Sequence, residues 1–125
     1  MAIKAVQAAG SAAAGTRTNF LSPEVQEPAR LISLVLMWSG ATAGDTVRVF
    51  ITRSPTPVSE PQPGDPPVIE AFDLQQVITA GFGLVIPIMK VRMIQPPFRL
   101  ALSYNNTGTT DVSVSAVLYY DNEPP

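Results

Sequence analysis

Apolar and polar residues alternate one by one along most of this chain, which is the period of a strand and not of a helix. The clearest stretch is near the C-terminus. Phe98, Leu100, Leu102 and Tyr104 alternate with Arg99, Ala101 and Ser103, and Val112, Val114, Ala116, Leu118 and Tyr120 alternate with Asp111, Ser113, Ser115, Val117 and Tyr119. The residues between, Asn105 to Thr110, have turn chemistry, so the pair predicts a β-hairpin. Thr46 to Arg53 sets Val47, Val49 and Ile51 on one face and Thr46, Arg48, Phe50 and Thr52 on the other. Leu31 to Trp38 is apolar on both sides, with Ile32, Leu34, Leu36 and Trp38 on one and Leu31, Ser33, Val35 and Met37 on the other. Such a run also suits a helix, but Pro28 before it and the Gly40 and Gly44 loop after it hold it to strand length. With the strand that follows, it predicts a second antiparallel hairpin.

Val68 to Ile78 and Phe82 to Met89 complete the set, and Pro87, which has no N–H to donate, predicts an edge position or a bulge for the latter. Six or seven strands about ten residues apart, without a helix, predict an all-β fold: a single antiparallel β-sandwich, with jelly-roll-like and immunoglobulin-like orders both open. Ser54 to Pro67 holds six prolines in fourteen residues and predicts a loop of polyproline II character. Residues 1–28 differ from the rest. Ala, Gly, Ser and Thr dominate as far as Thr18, and Pro23 and Pro28 then punctuate the chain. That stretch predicts an extended N-terminal arm lying along a neighbouring subunit, with Phe20 and Leu21 as its anchors. The expected organisation is therefore an arm at 1–28 and a sandwich domain at 29–125, with the Pro-rich loop at 54–67.

At 125 residues the chain suffices for one core and not for two domains. It contains no cysteine and no histidine, which removes disulfides, thiolate nucleophiles, cysteine-based zinc sites and the commonest general base. Eight basic against ten acidic residues leave no cationic excess for nucleic acid. The first sixteen residues carry one charge, Lys4, and too little apolar character for a secretory signal, and the longest apolar runs are strand-length. The expectation is a soluble, non-enzymatic protein without an anchor, a cofactor or a small-molecule substrate.

Local chemistry adds little to that picture. Most carboxylates, Asp45 among them, fall in loops and read as solvated charges, while Glu70 and Asp73 lie three apart on one strand and so face opposite ways. Asn105-Asn106-Thr107 fits an acceptor pattern for glycosylation but reads as exposed turn chemistry. Trp38 and Tyr104 fall on inward faces, while Tyr119 faces out, so an aromatic platform for sugar is the weaker reading of these rings.

Charged residues make up only 14% of the chain, where about 25% is usual. Because side chains alternate, a strand apolar on both sides leaves one apolar face outside whichever way it packs. Leu31, Val35 and Met37 on one strand, and Val85 and Met89 on another, are thereby predicted with Phe20 and Leu21 to form subunit contacts. The runs Pro28 to Leu36, Gly44 to Val49, Ile69 to Leu74 and Pro97 to Asn106 resemble, in strand rhythm, the small β-sandwich virion proteins of tailed bacteriophages, such as capsid decoration (cement) and head or tail accessory proteins. That resemblance implies a homo-oligomer located on the virion, with a major capsid or other virion protein as second partner and no nucleic acid or membrane contact. The alternative, from a different class, is a carbohydrate-binding or adhesin module.

Overall fold

A computed structural model describes residues 3–53, 68–78, 83–87 and 93–122. The strands are β1 (Ile3–Ala12), β2 (Arg17–Leu21), β3 (Arg30–Ser39), β4 (Thr46–Thr52), β5 (Val68–Val77), β6 (Gly83–Pro87), β7 (Arg99–Asn105) and β8 (Val112–Asp121). They form two four-stranded antiparallel sheets in the orders β1-β8-β3-β6 and β2-β7-β4-β5. The expected all-β sandwich stands, and this eight-strand order is that of a jelly roll.

The core is made where the alternation pointed. Val47, Val49 and Ile51 of β4, and Leu100, Leu102 and Tyr104 of β7, meet Leu34, Leu36 and Trp38 of β3 and Val112, Val114, Ala116, Leu118 and Tyr120 of β8, all buried. At about 1.5–3 kcal/mol for each large aliphatic side chain fully buried, these facing rows hold the sheets together. Pro87 lies in an edge strand, β6, as its missing N–H predicts.

Neither predicted hairpin forms. β3 and β4 lie in opposite sheets, as do β7 and β8, and each connection arches across the sandwich. Alternation identifies the inward side of a strand but not its neighbour, so an arch and a hairpin present the same pattern. Among the described strands, the consecutive pair that does share a ladder is β4 with β5, on either side of the Pro-rich loop. That loop, 54–67, lies outside the described residues.

The stretch expected as an arm is extended, but it lies within the sandwich. β1 pairs along its whole length with β8, from Ile3↔Asp121 to Ala12↔Val112, and β2 pairs with β7. Its inward residues, Val6, Ala8 and Ala12, are small and buried. Phe20 is half-buried against the core and covers Gly10 of β1, where its ring leaves no room for a Cβ. Leu21, the next residue, therefore points to the opposite face, half-buried beside Ala101 of β7. Phe20 and Leu21 are thus tied into their own domain.

The end of the sandwich bearing the β3–β4 and β7–β8 loops is closed by a buried carboxylate. Asp45 is fully buried. Its Oδ1 accepts the Thr107 hydroxyl at 2.6 Å and the Thr107 N–H at 2.8 Å, and its Oδ2 accepts the Tyr104 hydroxyl at 2.7 Å and the Thr42 N–H at 3.1 Å. Asn106, expected to be exposed, is also buried: its side-chain amide donates to the Ala12 and Thr110 carbonyls. The turn, read from sequence as exposed, thus clasps the loops together through Asn106 and Thr107.

Candidate interaction surface

The two outer faces of the sandwich differ in charge. On the β2-β7-β4-β5 sheet, Arg17, Arg48 and Arg99 occupy outward register positions, and the Arg48 guanidinium stacks 5.0 Å from the centroid of the Phe50 ring. Phe50 is fully buried although it faces away from the core. Long cationic side chains with apolar stems cover such a face while keeping it soluble.

The outer face of the β1-β8-β3-β6 sheet carries charge at one end only. β1 presents Ile3, Ala5, Gln7, Ala9 and Ser11, and β8 presents Ser113, Ser115, Val117 and Tyr119. β3 adds Ser33, Val35, Met37 and Ser39, and β6 adds Gly83 and Val85. None of these side chains is charged; the charged outward positions, Arg30 of β3 and Asp121 of β8, lie in the end row beside Ile3 and pair with each other at 2.6 Å. Val85 is 72% exposed, Ile3 60% and Met37 53%, and Tyr119 is exposed as well.

Register fixes how these residues are arranged. Gln7, Val117, Val35 and Val85 lie side by side in one row across the sheet, and Ala5, Tyr119 and Ser33 form the row on one side of it. Ala9, Ser115, Met37 and Gly83 form the row on the other side. The small residues here leave a shallow depression of about 560 Å³, lined by Ala9, Met37, Ser39, Ser113 and Ser115 together with backbone of the strands. Within the three central rows the Gln7 amide donates to the Ser115 hydroxyl at 2.8 Å.

Of the contact residues expected from sequence, the structure brings Val35, Met37 and Val85 together on this face. Leu31 does not join them. A bulge lies between Leu31 and Ser33 in the pairing of β3 with β8, and the extra residue reverses the alternation. Leu31 thus turns into the core, 1% exposed. Phe20 and Leu21 are placed elsewhere, as described above, and Met89 lies outside the described residues. Sequence reasoning passed over Ile3, Val117 and the small residues of β1. The available signal was that Ala5, Gln7, Ala9 and Ser11 alternate with Val6, Ala8 and Ala12.

Among the described residues, the remaining candidates hold no reactive grouping. Trp38 and Tyr104 are buried in the core, so neither ring is a platform. The side chains of Glu70 and Asp73 lie outside the described residues. Among the described residues, no cluster of three or more carboxylates, histidines or cysteines is placed to hold a metal ion. A second cleft of about 620 Å³ lies beside the free edge of β1, lined in part by Gln7, Val25, Glu27 and Tyr120. At its rim Glu27 accepts hydrogen bonds from Lys4 at 2.8 Å, Asn122 at 3.0 Å and Tyr120 at 3.3 Å. The bond from the Lys4 ammonium, followed by that from Asn122, holds the Glu27 carboxyl below its ordinary pKa. Asp121, close by, is buried and paired with Arg30 at 2.6 Å. These charges satisfy one another and pin the segment between β2 and β3 to the sandwich.

Neither a protein-family model nor a curated protein matches the sequence. Among solved structures the chain is similar to a carbohydrate-binding module determined in complex with β-1,4-galactotriose, at 15% identity and a TM-score of 0.49, over 97% of this chain and 82% of that one. The likeness is one of strand arrangement and names no ligand for this chain.

Proposed function

We propose that this chain is a non-enzymatic structural protein, built into a larger assembly through the outer face of its β1-β8-β3-β6 sheet. The observation that carries this reading is the absence of charge from the central rows of that face, beside exposed Val85, Ile3, Met37 and Tyr119. Monomers place charged side chains on exposed sheets and edges to prevent association; here Arg17, Arg48 and Arg99 are on the other sheet, and Arg30 is paired with Asp121 at one end of this one. The setting implied by the strand-pattern resemblance is a bacteriophage virion, where such a module would stabilise a shell as a decoration or accessory protein, bound to copies of itself and to a capsid protein. Burial of intersubunit surface favours the assembled, folded form by mass action.

Light scattering on the purified full chain over a range of concentrations, with and without β-1,4-galactan, tests the reading. The expected result is a mass that rises with concentration and is unaffected by the glycan. A mass that stays monomeric throughout, with saturable glycan binding, would overturn it in favour of the carbohydrate-binding alternative.

A further inference from the structure

We infer that the occupant of the outer face of the β1-β8-β3-β6 sheet is a second copy of this chain, packed face to face about a two-fold axis that crosses the strands at the Val117–Val35 row. This rests on the assembly reading above and names its partner. Three observations lead to it.

The first is complementarity of the face with itself. Tyr119 stands two residues from Val117 on one side, and Ser115, in the depression, stands two residues from it on the other. A two-fold axis through the Val117–Val35 row exchanges these two rows. Each exposed Tyr119 ring is thereby laid over the depression beside Ala9 and Ser115 of the opposite copy, and Val35 and Val117 meet their own counterparts. An isologous contact requires this pairing of projection with recess.

The second is area. Three strands of ten residues and one of five, at about 3.3 Å per residue and 4.8 Å between strands, give roughly 500 Å² of flat sheet per copy. Two copies would bury about 1,000 Å², the least a specific interface needs. Small side chains allow close approach over that area, and sheets packed in this way lie about 10 Å apart with strands near −30°.

The third is charge. The three central rows bear no ion and the end row holds only the self-paired Arg30 and Asp121, so the face offers little to select an oppositely charged partner and brings no like charges together across its centre when it meets itself.

The chain has no native cysteine, so single cysteines report on the face directly. Val35→Cys, on the proposed axis, and Thr109→Cys, in the exposed β7–β8 loop, are each treated with a maleimide at low and high chain concentration, after circular dichroism has shown the native fold. Val35→Cys is expected to react severalfold more slowly at high concentration, and Thr109→Cys at one rate throughout. Association accompanied by unchanged labelling of Val35→Cys would overturn the face-to-face pairing and leave the assembly reading standing. A chain that remains monomeric at every concentration would overturn both. Should Val35→Cys not fold, Val117→Cys occupies the same row and takes its place.

Discussion

Replacing Asp45 with alanine is expected to lower the stability of the fold by about 3–4 kcal/mol, because it strands several donors at once in a closed end of the sandwich. The Tyr104 hydroxyl has its partner in this carboxylate, and Tyr104 is itself fully buried. The Thr42 and Thr107 amides lose their acceptor too. For a chain of this size the loss corresponds to a fall in Tm of roughly 10–15 °C, readable by calorimetry. Tyr104→Phe removes one bond of the set and should cost about 1 kcal/mol.

The same carboxylate predicts a dependence on pH. Burial pushes the Asp45 pKa up, but the bonds from Thr107, Tyr104 and Thr42 outweigh burial and hold it below the ordinary 3.8. A group whose folded pKa lies below its unfolded one contributes stability that is complete above the unfolded value and is lost as pH falls through the folded value. Urea midpoints should therefore drop in acid below about pH 4, and Asp45→Asn should flatten that limb. Glu27, also held low by its partners, acts in the same direction, so Glu27→Gln is the companion variant. An acid limb unchanged by Asp45→Asn would mean that the clasp does not carry the dependence.

Val35→Lys is expected to abolish association while leaving the fold intact. Val35 is partly exposed on the outer face, so in a single copy its lysine ammonium can reach water. On the proposed axis two ammonium groups would be brought together and stripped of solvent, at a cost of several kcal/mol, or about a hundredfold or more in the dissociation constant. Thermal melting measured beside sedimentation equilibrium separates the two effects. A variant that melts like the parent and still associates with the parental constant would rule the row out of the contact.

Much of the fold was legible as periodicity. The inward residues of β4, β7 and β8, the buried Trp38 and Tyr104 and the outward Tyr119 all follow from alternation, because a pleated strand leaves no other choice. What alternation lacks is partner identity, and here nearly every connection described crosses between sheets. The side of Leu31 could not be read because one bulged residue reverses parity and has no strong signature in Leu31-Ile32-Ser33. β1 was hidden for another reason. Its inward residues are mostly alanine, and alanine against serine or glutamine gives little hydrophobic contrast, although a paired strand needs only small residues where Phe20 packs close. Asp45 read as a solvated loop charge because its burial depends on two loops, some sixty residues apart in sequence (Asp45 and Thr107 are separated by 62), reaching the same end of the sandwich.

The proposed contact face itself was half legible. Met37, Val35 and Val85 stand out as apolar residues on a strand's second side, whereas Ala5, Ala9, Ser113 and Ser115 matter through what they lack, namely bulk and charge. Low overall charge signalled that some surface would be bare, and only the register shows that the bare positions form one continuous area.

Intermolecular nuclear Overhauser effects in a sample mixing ¹³C-labelled and unlabelled chains give the most direct view of that area. The expected result is a set of contacts between copies at the methyl groups of Val35, Val117 and Met37, with the Tyr119 ring of one copy near Ala9 of the other. Contacts between copies confined to other surfaces, or none at concentrations where the two valines remain open to solvent, would contradict it.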